Sequence, residues 1–193
     1  MTMAQHVFII CGAAGSGKTT VANYLREHFA MHRVITHTTR APRPGERDGV
    51  DYHFEDDASM ARLHLLEQVT YDGAQYGSSY EGLEEGWQAG HDDVIVLDTA
   101  GALTYHQKLG DTAVIIFLTV SQLTVLAERM TQRGDQQAAI DSRLHSKEYR
   151  RDLHLPAALD GIAHVITNDH WAATRQQLDR LVAKFLAPQD QKC

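Results

Sequence analysis

The chain has little cysteine, little proline and no long apolar run, and each shortage excludes something. Its two cysteines are Cys11, in an apolar stretch, and Cys193, the last of 193 residues. They give no disulfide framework, which points to a reducing compartment and so to the cytoplasm. The longest apolar stretches, such as Ala113 to Leu118, hold about six residues, whereas a membrane-spanning helix needs roughly 20. The opening MTMAQHVFIICG lacks a cationic start and a small-residue cleavage site, so no secretory signal is expected. Lysine is scarce too, with none between Lys18 and Lys108. A net charge of −7 excludes a broadly basic surface for nucleic acid or membrane. With 43% hydrophobic and 22% charged residues the chain is nonetheless an ordinary globular one.

The arginines are not spread evenly. Arg33, Arg40, Arg43 and Arg47 crowd one segment; Arg129, Arg133, Arg143, Arg150 and Arg151 crowd another. Guanidinium forks suit phosphate oxygens. On charge alone, a pair of solvated faces is the simpler account.

Apolar runs at His6–Cys11, Asp93–Asp98, Thr112–Leu118 and His164–Thr167 read as buried strands. Helical periodicity covers 19–30, 100–108, 121–132 and 169–187. Strands alternating with helices predict an α/β fold with a parallel sheet and helices on both sides. Two segments interrupt it. Residues 36–84 are rich in Gly, Tyr and charge, with short antiparallel strands expected near Tyr52 and Phe54. Residues 133–152 are polar and expected to be helical.

Gly12-Ala13-Ala14-Gly15-Ser16-Gly17-Lys18-Thr19 fits G-x-x-x-x-G-K-[ST] at every fixed position, with a strand before it and a helix after it. Glycines let the backbone wrap a phosphate without Cβ clashes. Successive N–H groups and the helix N-terminus offer positive charge. Lys18 is suited to bridge the β- and γ-phosphates, and the Thr19 hydroxyl to ligate Mg²⁺. Residues 12–19, with Thr20, therefore form the expected nucleoside triphosphate site.

The motif does not name a second substrate. Downstream, Arg40 and Arg43 lie three apart in a stretch stiffened by Pro42 and Pro44, and Tyr52 follows a Gly-containing turn. Two guanidinium forks and a phenol could surround one dianionic phosphate, or the stretch could be an exposed loop. Here the chain strongly resembles the guanylate kinase family. It carries that family's T-T-R-x-P-R-x-G-E-x-x-G-x-D-Y-x-F at Thr38 to Phe54. The resemblance continues at Glu67, Tyr76-Gly77-Ser78, Asp98, Arg129, Arg133-Gly134, Arg143 and Asn168-Asp169, from about residue 6 to residue 186.

The resemblance implies a three-layer P-loop kinase core (1–35 and 85–193), a small mixed α/β GMP-binding insertion (36–84) and a helical lid (129–152). It implies phosphoryl transfer from ATP to GMP with Mg²⁺, by a monomer or homodimer whose partners are nucleotides. Arg40, Arg43, Tyr52 and Tyr76 would hold the GMP phosphate. Thr36, Glu67, Ser78 and Asp98 would read guanine. Glu67 suits the task because guanine offers N1–H and N2–H₂ as adjacent donors; taken alone it reads as a solvated helix-end carboxylate. Arg129, Arg133 and Arg143 would close over the transferred group, and Asn168 would lie near adenine. A kinase for another nucleoside monophosphate and a non-catalytic guanylate-kinase-like binding module are the alternatives.

The chain departs from the family in three places. Ala13-Ala14 stand where the family often has P-S. Val96 replaces the first acid of D-I-D-x-Q-G, leaving Asp98. Ala74-Gln75 precede Tyr76 in place of N-Y. Among twelve histidines, His28 and His32 stand four apart on the expected helix, a spacing that could pair them on a metal, but no third ligand is apparent. Cys11 reads as core.

Overall fold

The structure is a computed structural model and describes residues 5–42, 45–71 and 73–186. β1 (Val7–Cys11) is apolar at every position and fully buried. A strand covered on both faces needs no polar alternation, which is why it reads as a continuous run. Its odd residues Val7, Ile9 and Cys11 join one core, and Phe8 and Ile10 join the other. After it come α1 (Lys18–Phe29) and a two-residue strand, β2 (His32–Arg33). The insertion holds β3 (His37–Thr38), β4 (His53–Phe54), α2 (Asp57–Met60), β5 (Leu65–Tyr71) and β6 (Ala74–Ser79). The chain re-enters the core through α3 (Tyr80–Gln88), β7 (Asp93–Val96), α4 (Thr99–Leu109) and β8 (Ala113–Thr119). Three polar helices follow, α5 (Thr124–Gln132), α6 (Gln137–His145) and α7 (Lys147–Asp152), and β9 (His164–Thr167) and α8 (Trp171–Leu186) close the fold.

The main sheet has the order β2-β7-β1-β8-β9 and its strands run parallel. β1 lies centrally, with Ile9 registered against both Ile95 and Ile115. Val21 and Leu25 of α1 and Leu178 and Val182 of α8 cover one face. Ala102 and Tyr105 of α4, Leu83 of α3 and Leu66 of β5 cover the other. The expected α/β class with helices on both sides is what the fold has. The C-terminal edge of such a sheet is where ligands gather.

Several local expectations need correction. The second sheet has the order β4-β3-β6-β5, and β4 pairs parallel to β3 (His37 opposite His53). The antiparallel pairs are β3 with β6 and β5 with β6. The segment between Thr38 and His53 is a wide excursion with an Asp48–Tyr52 bridge, so the chain returns in the same direction. α5 starts at Thr124 and α8 at Trp171, later than their periodicity suggests. The Asp169 carboxylate accepts from both N–H and hydroxyl of Ser121, at 2.9 and 2.5 Å, tying the two helix approaches together outside either helix. The histidine pair does not exist. α1 stops at Phe29; His28 stacks on Tyr24, whereas His32 lies on β2 with its Nδ1 2.8 Å from Asp93. Cys11 is core, its thiol pushed up to about 12 by burial.

Candidate active site

The phosphate loop follows from the strand that precedes it. Gly12, Gly15 and Gly17 all have φ between +82° and +129°, a region that side chains avoid. A Cβ on Gly12 would meet the Leu118 carbonyl oxygen at 2.2 Å. One on Gly15 would meet that of Leu126 at 2.5 Å. The loop is therefore clamped against β8 and α5 by backbone. Gly12→Ala should lower stability by about 3 kcal/mol, because a strained φ and a backbone clash act together. Urea unfolding measures it; an unchanged midpoint would refute the clamp.

α1 begins at the end of this loop with no side-chain cap and no acid in its first turn. Its N–H groups and dipole are left for an outside anion. α3 and α4, in contrast, are capped by Ser79 and Asp98. Lys18 Nζ donates to the carbonyls of Gly12 (2.7 Å) and Ala13 (3.0 Å), folded back over the loop. Burial pulls its pKa down to about 8, against the pull of Asp152, while Arg143 and Arg133 push it down further. Asn168 lies beneath the loop, 7% exposed. Its amide donates to the Ser16 carbonyl (2.8 Å) and its oxygen accepts from Thr174 (2.9 Å). A Cβ at Gly17 would come within 2.3 Å of that amide. Here the Asn168 amide buttresses the loop.

The acceptor side is built on the second sheet. Arg40 is held by both oxygens of Glu46 at 3.0 Å, its guanidinium 5.5 Å from the centre of the Tyr52 ring. Tyr52 and Tyr76 meet edge to face at 6.2 Å. Arg40 and Tyr52 are thus brought together as their spacing suggested, and Tyr76 joins them as the resemblance implied; Arg43 lies outside the described residues. Glu67 is no helix-end carboxylate. It sits on β5 beside a register shift, accepting from Ser78 Oγ at 3.1 Å. Burial raises its pKa to about 7, against the Ser78 hydrogen bond. Asp98 caps α4 through Gly101 N (2.7 Å) and accepts from Arg151 (2.8 Å).

One cavity of about 340 Å³ joins the two sides. Gly12 and Lys18 of the phosphate loop line it together with Thr36, Tyr52, Glu67, Tyr76 and Asp98, with Arg143 also in its wall. Val96, at the place of the missing acid, lines it too. Arg129 donates to the Asn168 carbonyl at 2.8 Å. Arg133 and Arg143 share Asp135. Leu126, Leu144, Tyr149 and Leu153 pack with Ala13 and Ala14, so the polar helices rest directly on the phosphate loop.

Sequence reasoning missed Asp135, Arg151, Asp152 and Thr174. Asp152 is buried, accepting from Thr99 Oγ1 (2.5 Å) and Arg151 Nε (2.8 Å). Arg151 links it to Asp98 across 53 positions of sequence. No local pattern marks such a pair.

A family model described as "Guanylate kinase" matches residues 4–184. The chain belongs to the guanylate kinase family. Its relatives include the guanylate kinase of Neisseria meningitidis serogroup A, 35% identical over 182 residues, covering 92% of this chain and 86% of the relative. A guanylate kinase of Thermus thermophilus is 35% identical over 191 residues, covering 96% of this chain and 80% of the relative. The crystal structure of guanylate kinase from Anaplasma phagocytophilum shares the fold, with a TM-score of 0.65 at 23% identity, covering all of this chain and 90% of that one. The guanylate kinase family generally uses Mg²⁺ with ATP. The donors here fit a cation carried in on phosphate. Thr19 is exposed at the loop's end, facing a side cavity shared with Thr36 and Tyr52. Among the described residues no group of three or more His, Cys, Asp or Glu forms a metal cage. Mg²⁺ keeps waters and substrate phosphates as ligands and needs few protein donors. No helix among the described residues is long and apolar enough to cross a membrane.

Proposed function

We infer that this chain is an ATP-dependent guanylate kinase, catalysing ATP + GMP ⇌ ADP + GDP. The observation that carries this is one cavity lined by both Lys18 and Glu67. The triphosphate lies on residues 12–20, with Lys18 against its terminal phosphates. Arg40, Arg43, Tyr52 and Tyr76 hold the acceptor phosphate; Thr36, Glu67, Ser78 and Asp98 face the base. The acceptor phosphate is already anionic, so its attack needs no strong base. The protein contributes positioning and charge neutralisation. Arg129, Arg133 and Arg143 approach the transferred group as residues 129–152 close, and residues 36–84 close over GMP, excluding water. Mg²⁺, held by Thr19 and the phosphates, supplies further charge neutralisation when bound. A cytoplasmic monomer or homodimer acting on nucleotides, without nucleic acid or membrane, belongs to the same reading.

A coupled ADP-release assay over GMP, dGMP, IMP and AMP tests it. GMP should give the highest kcat/KM, with AMP lower by about 10⁴-fold, because adenine lacks the N1–H that a carboxylate requires. Faster turnover with AMP would overturn the reading.

A further inference from the structure

Behind the base site lies a residue that neither the motif nor the cavity lining includes. Tyr105 of α4 is fully buried in the main core, and its hydroxyl is 2.8 Å from Ser78 Oγ. Ser78, also fully buried, is 3.1 Å from Glu67 Oε1. The three form a chain running from the core to the cavity wall. One turn further along α4, Lys108 Nζ donates to the Leu66 carbonyl at 2.6 Å, so α4 also holds β5 at the residue next to Glu67.

We propose that Tyr105 is a positioning residue for base recognition: by donating to Ser78 it fixes Ser78 as a donor to Glu67, and so holds the Glu67 carboxylate in place in the cavity wall. This rests on the reading of the cavity as a GMP site. The direction follows from counting hydrogens. A serine hydroxyl has one proton, and an ionised carboxylate only accepts. Ser78 therefore gives its proton to Glu67, and Tyr105 must supply the proton between itself and Ser78. Hydrogen bonds in a chain polarise one another, so Tyr105 also strengthens the bond that holds the Glu67 charge.

Tyr105→Phe keeps the ring and removes the proton. Its expected effect is a roughly five- to tenfold rise in KM for GMP. kcat and KM for ATP should stay within about twofold. The acid limb of kcat/KM for GMP should move to higher pH, because a less supported carboxylate keeps its proton longer. Other titratable groups along this chain are Asp98, the cap of α4, and Lys108 of α4 beside Glu67, Tyr80 of α3 and Asp93 of β7 beside Tyr105, and Lys18, Tyr52, Tyr76, Arg143, Glu148 and Asp152 in the same cavity wall. All are common to both proteins, as is the titration of the GMP phosphate, so the difference between the profiles belongs to Tyr105. A purely packing role would lower the melting temperature without moving the limb. If the Phe variant folds poorly, Tyr105→Met removes the same proton with a flexible apolar filler. Equal KM and superimposable pH profiles overturn the proposal while leaving the GMP reading in place. Absence of GDP formation by the unmodified chain overturns both.

Discussion

Lys18→Ala lowers kcat for GDP formation by about 10³-fold, with the fold retained. Nζ has two carbonyl partners, Gly12 and Ala13, which belong to the loop itself. Burial pulls its pKa down to about 8 despite Asp152, while Arg143 and Arg133 push against its charge. A cation held this way is stabilised most when an anion enters. The terminal phosphates of ATP are that anion, and charge that develops between them in the transition state falls within its reach. Truncation removes this stabilisation and also removes the cost of a desolvated ammonium, so the melting temperature should change little. Lys18→Arg should not rescue the rate, because a planar fork cannot follow the compact ammonium into the same space. Above about pH 8 the free enzyme holds Lys18 neutral, so kcat/KM for ATP falls on the alkaline side. Bound triphosphate raises the lysine pKa, so the corresponding limb of kcat lies higher. Rapid-quench turnover and thermal melts measure both parts; turnover within tenfold of the unmodified chain refutes the role.

What was legible in the sequence follows from the range of each interaction. β1, β7 and β8 lie inside the parallel sheet, so their apolar runs announce them, whereas β9, expected to be buried, is the sheet's edge strand with Ile166 buried and Val165 half exposed. The phosphate loop was legible because its parts are contiguous and demand glycine at fixed steps. Glu67 was legible only through its spacing to Tyr76, and that spacing has a structural reason: β5 and β6 pair antiparallel, with Glu67 opposite Ser78. β2 was not legible, since two residues show no period. The parallel course of β4 was not legible either, because a wide excursion leaves no hairpin signature. The Arg151–Asp98 pair and the Tyr105–Ser78 bond are tertiary. They join residues that the chain brings together only after it folds. Asp98 shows the consequence. Its place in the motif implies one task, whereas the folded chain also makes it a helix cap and an ion-pair partner.

Glu67→Gln lowers kcat/KM for GMP by about 10³-fold, because a carboxamide meets the two guanine donors with one acceptor and one competing N–H₂. The loss should be far smaller for AMP, which lacks the N1–H. The pH behaviour separates this role from a packing role. Burial raises the Glu67 pKa from 4.5 to about 7. The folded chain therefore holds the proton more tightly than the unfolded chain does. The resulting stabilisation is complete below about pH 4.5 and is lost as pH rises through 7. Guanine recognition has the opposite sign, since it needs the ionised form and so weakens below about pH 7. The unmodified chain becomes competent for GMP through the same ionisation that costs it stability, a trade expected of a binding group in a partly desolvated wall. Glutamine does not titrate. In the variant the acid limb assigned to Glu67 should vanish from the kcat/KM profile, and stability relative to the unmodified chain should improve from about pH 5 to about pH 8. Urea midpoints across that range, set beside GMP kinetics, read both signs in one protein. The GMP phosphate titrates in both proteins, so the comparison is between their profiles: acid limbs that superimpose would assign the whole limb to another group and remove the Glu67 ionisation from base recognition.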